Sequence, residues 1–256
     1  MLPGQRVNYD SIAPVYDEPT RDYTVDPHLV QFVTERGGTA GLRVLDMGCG
    51  TGKQLAANRR QFPDLALVGL DLFRGMLDVA RFRAPSVTWV QGDSACAPFP
   101  DASFDYITNQ FSYPHVQDKP GLFRETARLL RPGGRFVLTN LDPWAMPNWI
   151  LYRYFPAARE RDRRDFLPAE DIAARLSAVG LANVQVRRQR RDGDEELGKF
   201  LAYASQRFRA SQLLVISDAD YQAGLTRLGH DLTRLGADAR VPSQFCFVTV
   251  TADRVG

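Results

Sequence analysis

Cysteine and histidine are scarce, three of each in 256 residues. Cys49, Cys96 and Cys246 are odd in number and far apart, which fits free thiols in a reducing compartment better than a disulfide framework. Charge imbalance is missing too. Thirty-two basic against 30 acidic side chains leave a formal net charge of +2, so the whole-chain balance points to no nucleic acid and no membrane surface. No apolar run approaches the roughly 18 residues that cross a bilayer, and MLPGQRVNYD lacks the charged-then-apolar order of a secretory signal. The cytoplasm is the expected compartment. Internal repeats and low-complexity tracts are absent. What remains is 44% hydrophobic and 24% charged, enough for a core that needs no staple. The length suits one α/β domain, 1–256, with small insertions.

Short apolar runs alternate with helical spacing through the first half. Leu42–Asp46, Ala66–Leu70, Val87–Gln91, Phe104–Thr108 and Arg135–Leu141 read as strands. Lys53–Gln61, Phe73–Arg83 and Leu122–Leu130 read as the helices between them, the last closed by Pro132-Gly133-Gly134. Such alternation predicts βαβ units, a parallel sheet and helices on both faces. After Leu141 the pattern changes. Residues 142–167 are too many for a bare turn and hold Trp144, Trp149, Tyr152, Tyr154 and Phe155. A helix is predicted from Pro168 to Gly180, with Glu170 and Asp171 at its positive end. Asn183–Arg188 and Phe245–Thr251 read as strands. Asp194–Arg209 and Asp218–Leu235 read as helices within an insertion at 194–240.

The most informative stretch is VLDMGCGTG, Val44 to Gly52. Ligands of open α/β sheets bind at the carboxyl ends of the strands. Asp46, Asp71 and Asp93 each fall at a predicted strand end, which sets three carboxylates along one crevice. The glycine spacing departs from the dinucleotide G-x-G-x-x-G, and a buried acid beside Gly48 repels a pyrophosphate. Gly52-Lys53 is followed by Gln54, so the hydroxyl of a phosphate loop is missing. Cys49 reads as a small loop-filling residue, since no histidine lies near it in sequence. A ribose held by Asp71, an adenine amine by Asp93 and an amino acid's ammonium by Asp46 together describe S-adenosyl-L-methionine.

VLDMGCGTG, VGLDLFRGML, VQGDSACAPFPDASFDYI and LLRPGGRFVL resemble the successive motifs of the class I S-adenosylmethionine-dependent methyltransferases. The small-molecule branch with the ubiquinone and menaquinone methyltransferases is the most similar, and YDSIAPVYD resembles its opening segment. The resemblance is strong from Tyr9 to Leu141 and only outlined beyond. It implies a Rossmann-like doubly wound seven-stranded α/β sheet, mostly parallel, with an antiparallel last strand and helical lid insertions. It also implies a helical lid segment at 1–36. Cofactor contacts carried over by position are Asp46, Gly48, Cys49, Gly50 and Gly52 at the methionine part, Asp71 at the ribose, and Leu72 and Met76 on adenine. Asp93 and Ser94 fall at the adenine edge and Gln110 near the amino group. Met76 reads equally as a plain core residue, and Ser94 as the start of a turn.

Methyl transfer is an in-line displacement from an activated donor, so the protein's tasks are positioning, exclusion of water and, for an acidic acceptor, removal of a proton. His115 and Tyr113, after the fourth strand, and Tyr16, in the N-terminal segment, are the candidate catalytic groups. An imidazole titrates in the range a general base needs. Tyr9, Trp144, Trp149 and Tyr152 are the candidate acceptor contacts, the last three in an aromatic lid connection at 142–167; each also reads as ordinary packing. Asn109-Gln110-Phe111-Ser112 lacks the paired prolines of the Asp/Asn-Pro-Pro-aromatic motif found in methyltransferases that act on nucleic-acid or glutamine amines. Asn140 and Asp142 have no matching partners, so no metal is expected. The four arginines of 187–191 would steer an anion or RNA phosphate, or simply mark an exposed edge strand; the second reading is preferred. The expected protein is a monomeric or homodimeric methyltransferase acting on O, N or C of a small apolar or aromatic metabolite. RNA or protein methylation, or non-catalytic cofactor binding, are the alternatives.

Overall fold

The computed structural model describes residues 7–17 and 23–256, so the expected N-terminal segment falls partly outside the described residues, at 1–6 and 18–22. A 3-10 turn at Tyr9–Ser11 is followed by α1 (Pro27–Glu35), β1 (Arg43–Met47), α2 (Lys53–Gln61), β2 (Ala66–Asp71), α3 (Arg74–Arg83), β3 (Thr88–Gln91) and β4 (Phe104–Gln110). A second 3-10 turn, Tyr113–His115, leads into α4 (Lys119–Leu129) and β5 (Leu130–Leu141). Then come α5 (Ile150–Tyr154), α6 (Pro156–Asp165), α7 (Ala169–Ala178), β6 (Ala182–Glu196), α8 (Leu197–Ala204), α9 (Ser211–Leu214), α10 (Asp218–Leu235) and β7 (Arg240–Asp253).

Seven strands form one sheet in the order β3-β2-β1-β4-β5-β7-β6. β1 to β5 pair in parallel. β7 runs against β5: Arg254 donates to Gly134, Thr139 faces Thr249, and Asp142 donates to Cys246, so numbers rise on one strand as they fall on the other. This is the expected mostly parallel, doubly wound sheet closed by antiparallel strands. Its order reverses between β1 and β4, the switch point where such sheets bind ligands.

Local chemistry fixes the helices that frame this point. Asp26 caps α1 by accepting from the His28 amide, and Pro27 occupies the first turn. Leu29, Phe32 and Val33 then fall on one buried face at helical spacing. The other Asp26 oxygen accepts from the Tyr106 hydroxyl on β4 at 2.8 Å, and the Asp26 amide donates to Asn58 Oδ1 on α2. One buried acid thus ties α1, α2 and β4 together.

The chain divides into two compact units. The larger contains Asn8–Asn140, Ala169–Arg187 and Val248–Gly256. Its core joins Leu29, Phe32, Val44, Leu55, Leu67, Leu77, Tyr106 and Val137. The smaller contains Leu141–Pro168 and Arg188–Phe247 and has its own core, from Ile150, Leu151 and Phe155 to Phe200, Leu213 and Leu228.

The helix expected at Asp194–Arg209 is shorter. Asp194–Glu196 belong to β6, α8 starts at Leu197, and a 3-10 turn and α9 follow. The amides of Leu197 and Gly198, the first residues of α8, donate to Ala239 and Ala237, so the chain leading into β7 satisfies the start of this helix and fixes it at Leu197. The long connection 142–167 contains α5 and α6.

In the smaller core, Gly224 on α10 lies flat against Phe155. A Cβ there would fall 2.2 Å from the ring, with no flexible side-chain end to yield. Gly224→Ala should lower stability by about 1–3 kcal/mol, the usual cost of overpacking. Urea unfolding checks this, and an unchanged midpoint would contradict the packing described.

Candidate active site

β1, β2 and β3 run parallel, so their carboxyl ends share one rim. Asp46 and Asp71 lie within the last residues of β1 and β2, and Asp93 lies just past β3. The three differ in environment. Asp46 is 3% exposed, and its Oδ1 has no hydrogen-bond partner among the described residues. Burial first, then the negative charges of Asp26 and Asp71, push its carboxyl up to about 8. Asp71 is buried but satisfied: Oδ2 accepts from the Gly50 amide at 2.8 Å and Oδ1 from the Phe73 amide at 2.9 Å. Burial raises its pKa against the pull of those bonds. Asp93 is half-buried and accepts from the Ala95 amide.

The glycine loop is pinned at its start and open at its middle. The amides of Gly48 and Cys49 both donate to Leu70 at the end of β2. Gly48 has φ +78°, and a Cβ there would meet Ser112 Oγ at 2.2 Å. That serine donates to Met47 at 2.9 Å, and Asn109 Nδ2 donates to the same carbonyl. At Gly50, φ +52°, a Cβ would meet no atom of the described residues within 4 Å. The loop therefore presents bare backbone to open space beside Asp71. Gly52 caps α2. Cys49 is buried, and burial, with Asp46 and Asp71 adding, pushes its thiol well up, away from a nucleophilic thiolate.

Around this loop, Leu72 is half-buried, while Met76 on α3 and Ser94 are buried. Gln110 ends β4 half-buried. The next residue, Phe111, is 42% exposed at φ +57°, a backbone state that a bulky side chain occupies only under strain.

The N-terminal segment is fastened to the same rim. Asp10 accepts from the Gly75 amide at 2.6 Å. Asp17 accepts from Thr51 Oγ1, lies 3.0 Å from Lys53 Nζ and receives Arg83 Nη2 at 2.6 Å. Burial works against the Asp17 charge, but Lys53, Arg83 and Thr51 hold its carboxyl below the usual range. Between these anchors, Tyr9 places its hydroxyl 3.0 Å from His115 Nε2. Its ring meets His115, Phe73 and Tyr16 edge-on, with centroids 5.3, 5.4 and 5.9 Å apart. Three residues singled out from sequence, Tyr9, Tyr16 and His115, thus form one cluster. Tyr113 has 1% of its surface exposed; its amide donates to Asn109 Oδ1 and its side chain lies in the interior.

Trp144, Trp149 and Tyr152 all belong to the smaller unit. Trp144 is exposed beneath the Arg163 guanidinium. Trp149 packs edge-on against Tyr152 and Phe245. The Tyr152 hydroxyl donates to the buried Asp162 carboxylate at 2.6 Å, and burial pushes Asp162 up to about 7. Sequence reading missed Asp17, Phe73 and Asp162. The only available signal was Asp17's place in YDSIAPVYD.

This donor set suits a ligand with both a cation and hydroxyls. Asp46 holds an unused acceptor for an ammonium, and Asp71 keeps lone pairs beside the open backbone at Gly50.

A methyltransferase-domain family model matches residues 45–138. Demethylmenaquinone methyltransferase of Tropheryma whipplei is 31% identical over 209 residues, covering 72% of this chain and 85% of that protein. The ubiquinone/menaquinone biosynthesis C-methyltransferase of Desulfotalea psychrophila is 33% identical over 146 residues, covering 55% of this chain. This chain spans only 59% of the length of the Desulfotalea protein, and less than two thirds of several other relatives. Among solved structures, phosphoethanolamine N-methyltransferase 2 of Haemonchus contortus, in complex with S-adenosyl-L-methionine, has a TM-score of 0.61. It is 20% identical, and the match covers 98% of this chain and 59% of that one. Carboxylates ending successive parallel strands, a glycine loop opened toward them and these alignments lead to one assignment: the chain belongs to the class I S-adenosylmethionine-dependent methyltransferases.

Proposed function

We propose that the chain transfers a methyl group to O, N or C of a small apolar or aromatic metabolite bearing an acidic proton. The observation that carries this reading is the Tyr9–His115 hydrogen bond beside the strand-end rim. When bound, S-adenosyl-L-methionine supplies a methyl group on a sulfonium, already activated for displacement. Asp46 would hold its ammonium, Asp71 its ribose hydroxyls and the Gly48–Gly52 backbone its methionine part, with Asp93, Ser94, Leu72 and Met76 around the adenine. Tyr9, Tyr16 and Phe73 supply aromatic area for a flat acceptor. His115 takes the acceptor's proton, and the Tyr9 hydroxyl fixes the imidazole's orientation. The anchors at Asp10 and Asp17 hold Tyr9 in place and keep water out. The quinone methyltransferases named among the relatives support a ring acceptor with an ionisable hydroxyl.

Calorimetry with S-adenosylmethionine and S-adenosylhomocysteine tests the cofactor reading, and binding of neither would end it. A methyl-transfer screen across phenols, amines and quinone precursors tests the acceptor class, with methylated product as the readout. Asp71→Ala should weaken cofactor binding by about 1–3 kcal/mol, because it removes the acceptor for buried amides as well as for ribose. An unchanged dissociation constant would overturn the Asp71 assignment. His115→Ala should lower turnover by about 10²-fold or more while cofactor affinity stays within a few-fold. Equal loss of both would make His115 a packing residue.

Asp46 adds a pH dependence. In the free protein its carboxyl favours the protonated form, so this residue's contribution to stability is complete in the acid range. It is lost as pH climbs from the ordinary carboxylate range toward about 8. An ammonium placed against it reverses the preference, so ligand binding at neutral pH should release a proton, and affinity should rise as pH approaches about 8. Calorimetry in buffers of different ionisation enthalpy measures that proton, and Asp46→Asn should abolish it.

A further inference from the structure

β6 is an edge strand: it ends the sheet order, and residues 187–195 are exposed without interruption. An open edge of this length presents unpaired backbone groups, which proteins either defend with charge or cover. The charges here are ordered. Arg187, Arg188, Arg190 and Arg191 come first, and Asp192, Asp194, Glu195 and Glu196 follow. Reversed, the run is complementary to itself. Antiparallel strands related by a two-fold axis normal to the sheet place residues of like parity opposite each other. With the axis at Arg191, Arg190 faces Asp192 of the second copy, Arg188 faces Asp194, and Arg187 faces Glu195.

We propose that β6 is the interface of a homodimer, pairing edge to edge with the same strand of a second copy of this chain. Three observations support that occupant. The amide of Leu197 donates to Ala239 on the β7 side, so strand alternation turns the amides of Arg188, Arg190, Asp192 and Asp194 toward the open edge. These four residues form the facing pairs in this register, giving about eight main-chain hydrogen bonds across the axis, two of them to the Asp194 carbonyls that Arg240 Nη2 also reaches. The Arg191 guanidinium lies over the Phe247 ring of its own chain, which draws the one like-charged pair away from the axis. Finally, the side chains of Asp192, Asp194 and Glu195 make no hydrogen bond or ion pair among the described residues. Arg188 already holds the buried Asp142 carboxylate at 2.7 Å and Arg190 donates to the Ala145 carbonyl, so the acids are the half of the strand without partners. An acidic partner would meet them with like charge, whereas a second copy brings arginines opposite them.

Sedimentation at about 50 mM and about 500 mM salt tests this, since exposed charge pairs are screened at the higher value. The full chain should dimerise, more weakly at high salt. Arg190→Asp and Asp192→Arg should each raise the dimer dissociation constant about tenfold or more, by setting like charges opposite each other on both sides of the axis. Mixed together, the two variants should associate again, because the introduced acid of one then faces the introduced base of the other. A wild-type chain that remains monomeric overturns the proposal, as does a dimer that neither variant weakens, or two variants that fail to combine. A monomer that retains polyglutamate would overturn it in favour of an acidic partner. Circular dichroism and S-adenosylhomocysteine binding confirm that each variant is folded.

Discussion

The Asp71 carboxylate holds the site together. One of its oxygens fixes the Gly50 amide and the other the Phe73 amide, so a single side chain sets both the middle of the glycine loop and the entry to α3. Phe73 in turn supports Tyr9, and Tyr9 meets His115. Glycine loop, N-terminal segment and the turn after β4 are therefore linked through one strand end. Such a linkage costs ordering entropy once, on folding, and leaves less to be lost when ligands arrive.

Sequence reading went furthest where a residue's role follows from its position in a repeating element. The strands β1 to β4 were legible because apolar runs broke on turn residues, and Asp46, Asp71 and Asp93 stood out because each closed such a run. α10 was legible from Asp218 to Leu235 because Ser217 caps one end and Gly236 closes the other. β6 was legible in its first part, where Asn183–Arg188 alternates and the arginines of 187–191 mark an exposed edge, but not in its acidic end, since Asp192–Glu196 has no apolar alternation to reveal it. An edge strand exposed along its length needs none, and its charges read as the start of a helix.

The site was legible in its parts and hidden in its assembly. Tyr9, Tyr16 and His115 were picked out singly, with about 100 residues between the first and last, and only the fold brings Tyr9 to His115. Asp17 was invisible because its partners, Thr51, Lys53 and Arg83, come from two other elements. Tyr113 and His115 are nearly adjacent, yet the short turn carrying them sends one side chain inward and leaves the other at Tyr9. Residue type and neighbourhood in sequence do not fix that choice.

Asp26 caps a helix, anchors a tyrosine and never reaches the strand-end rim, so it has the profile of a purely architectural residue. Its negative charge is nonetheless the second cause, after burial, of the raised Asp46 pKa. The protonation of Asp46 at the rim is thus partly set by the residue that caps α1. A deep mutational scan read out on ligand binding would score position 26 as functional, and homologues that cap this helix with serine or asparagine would operate with a differently tuned rim.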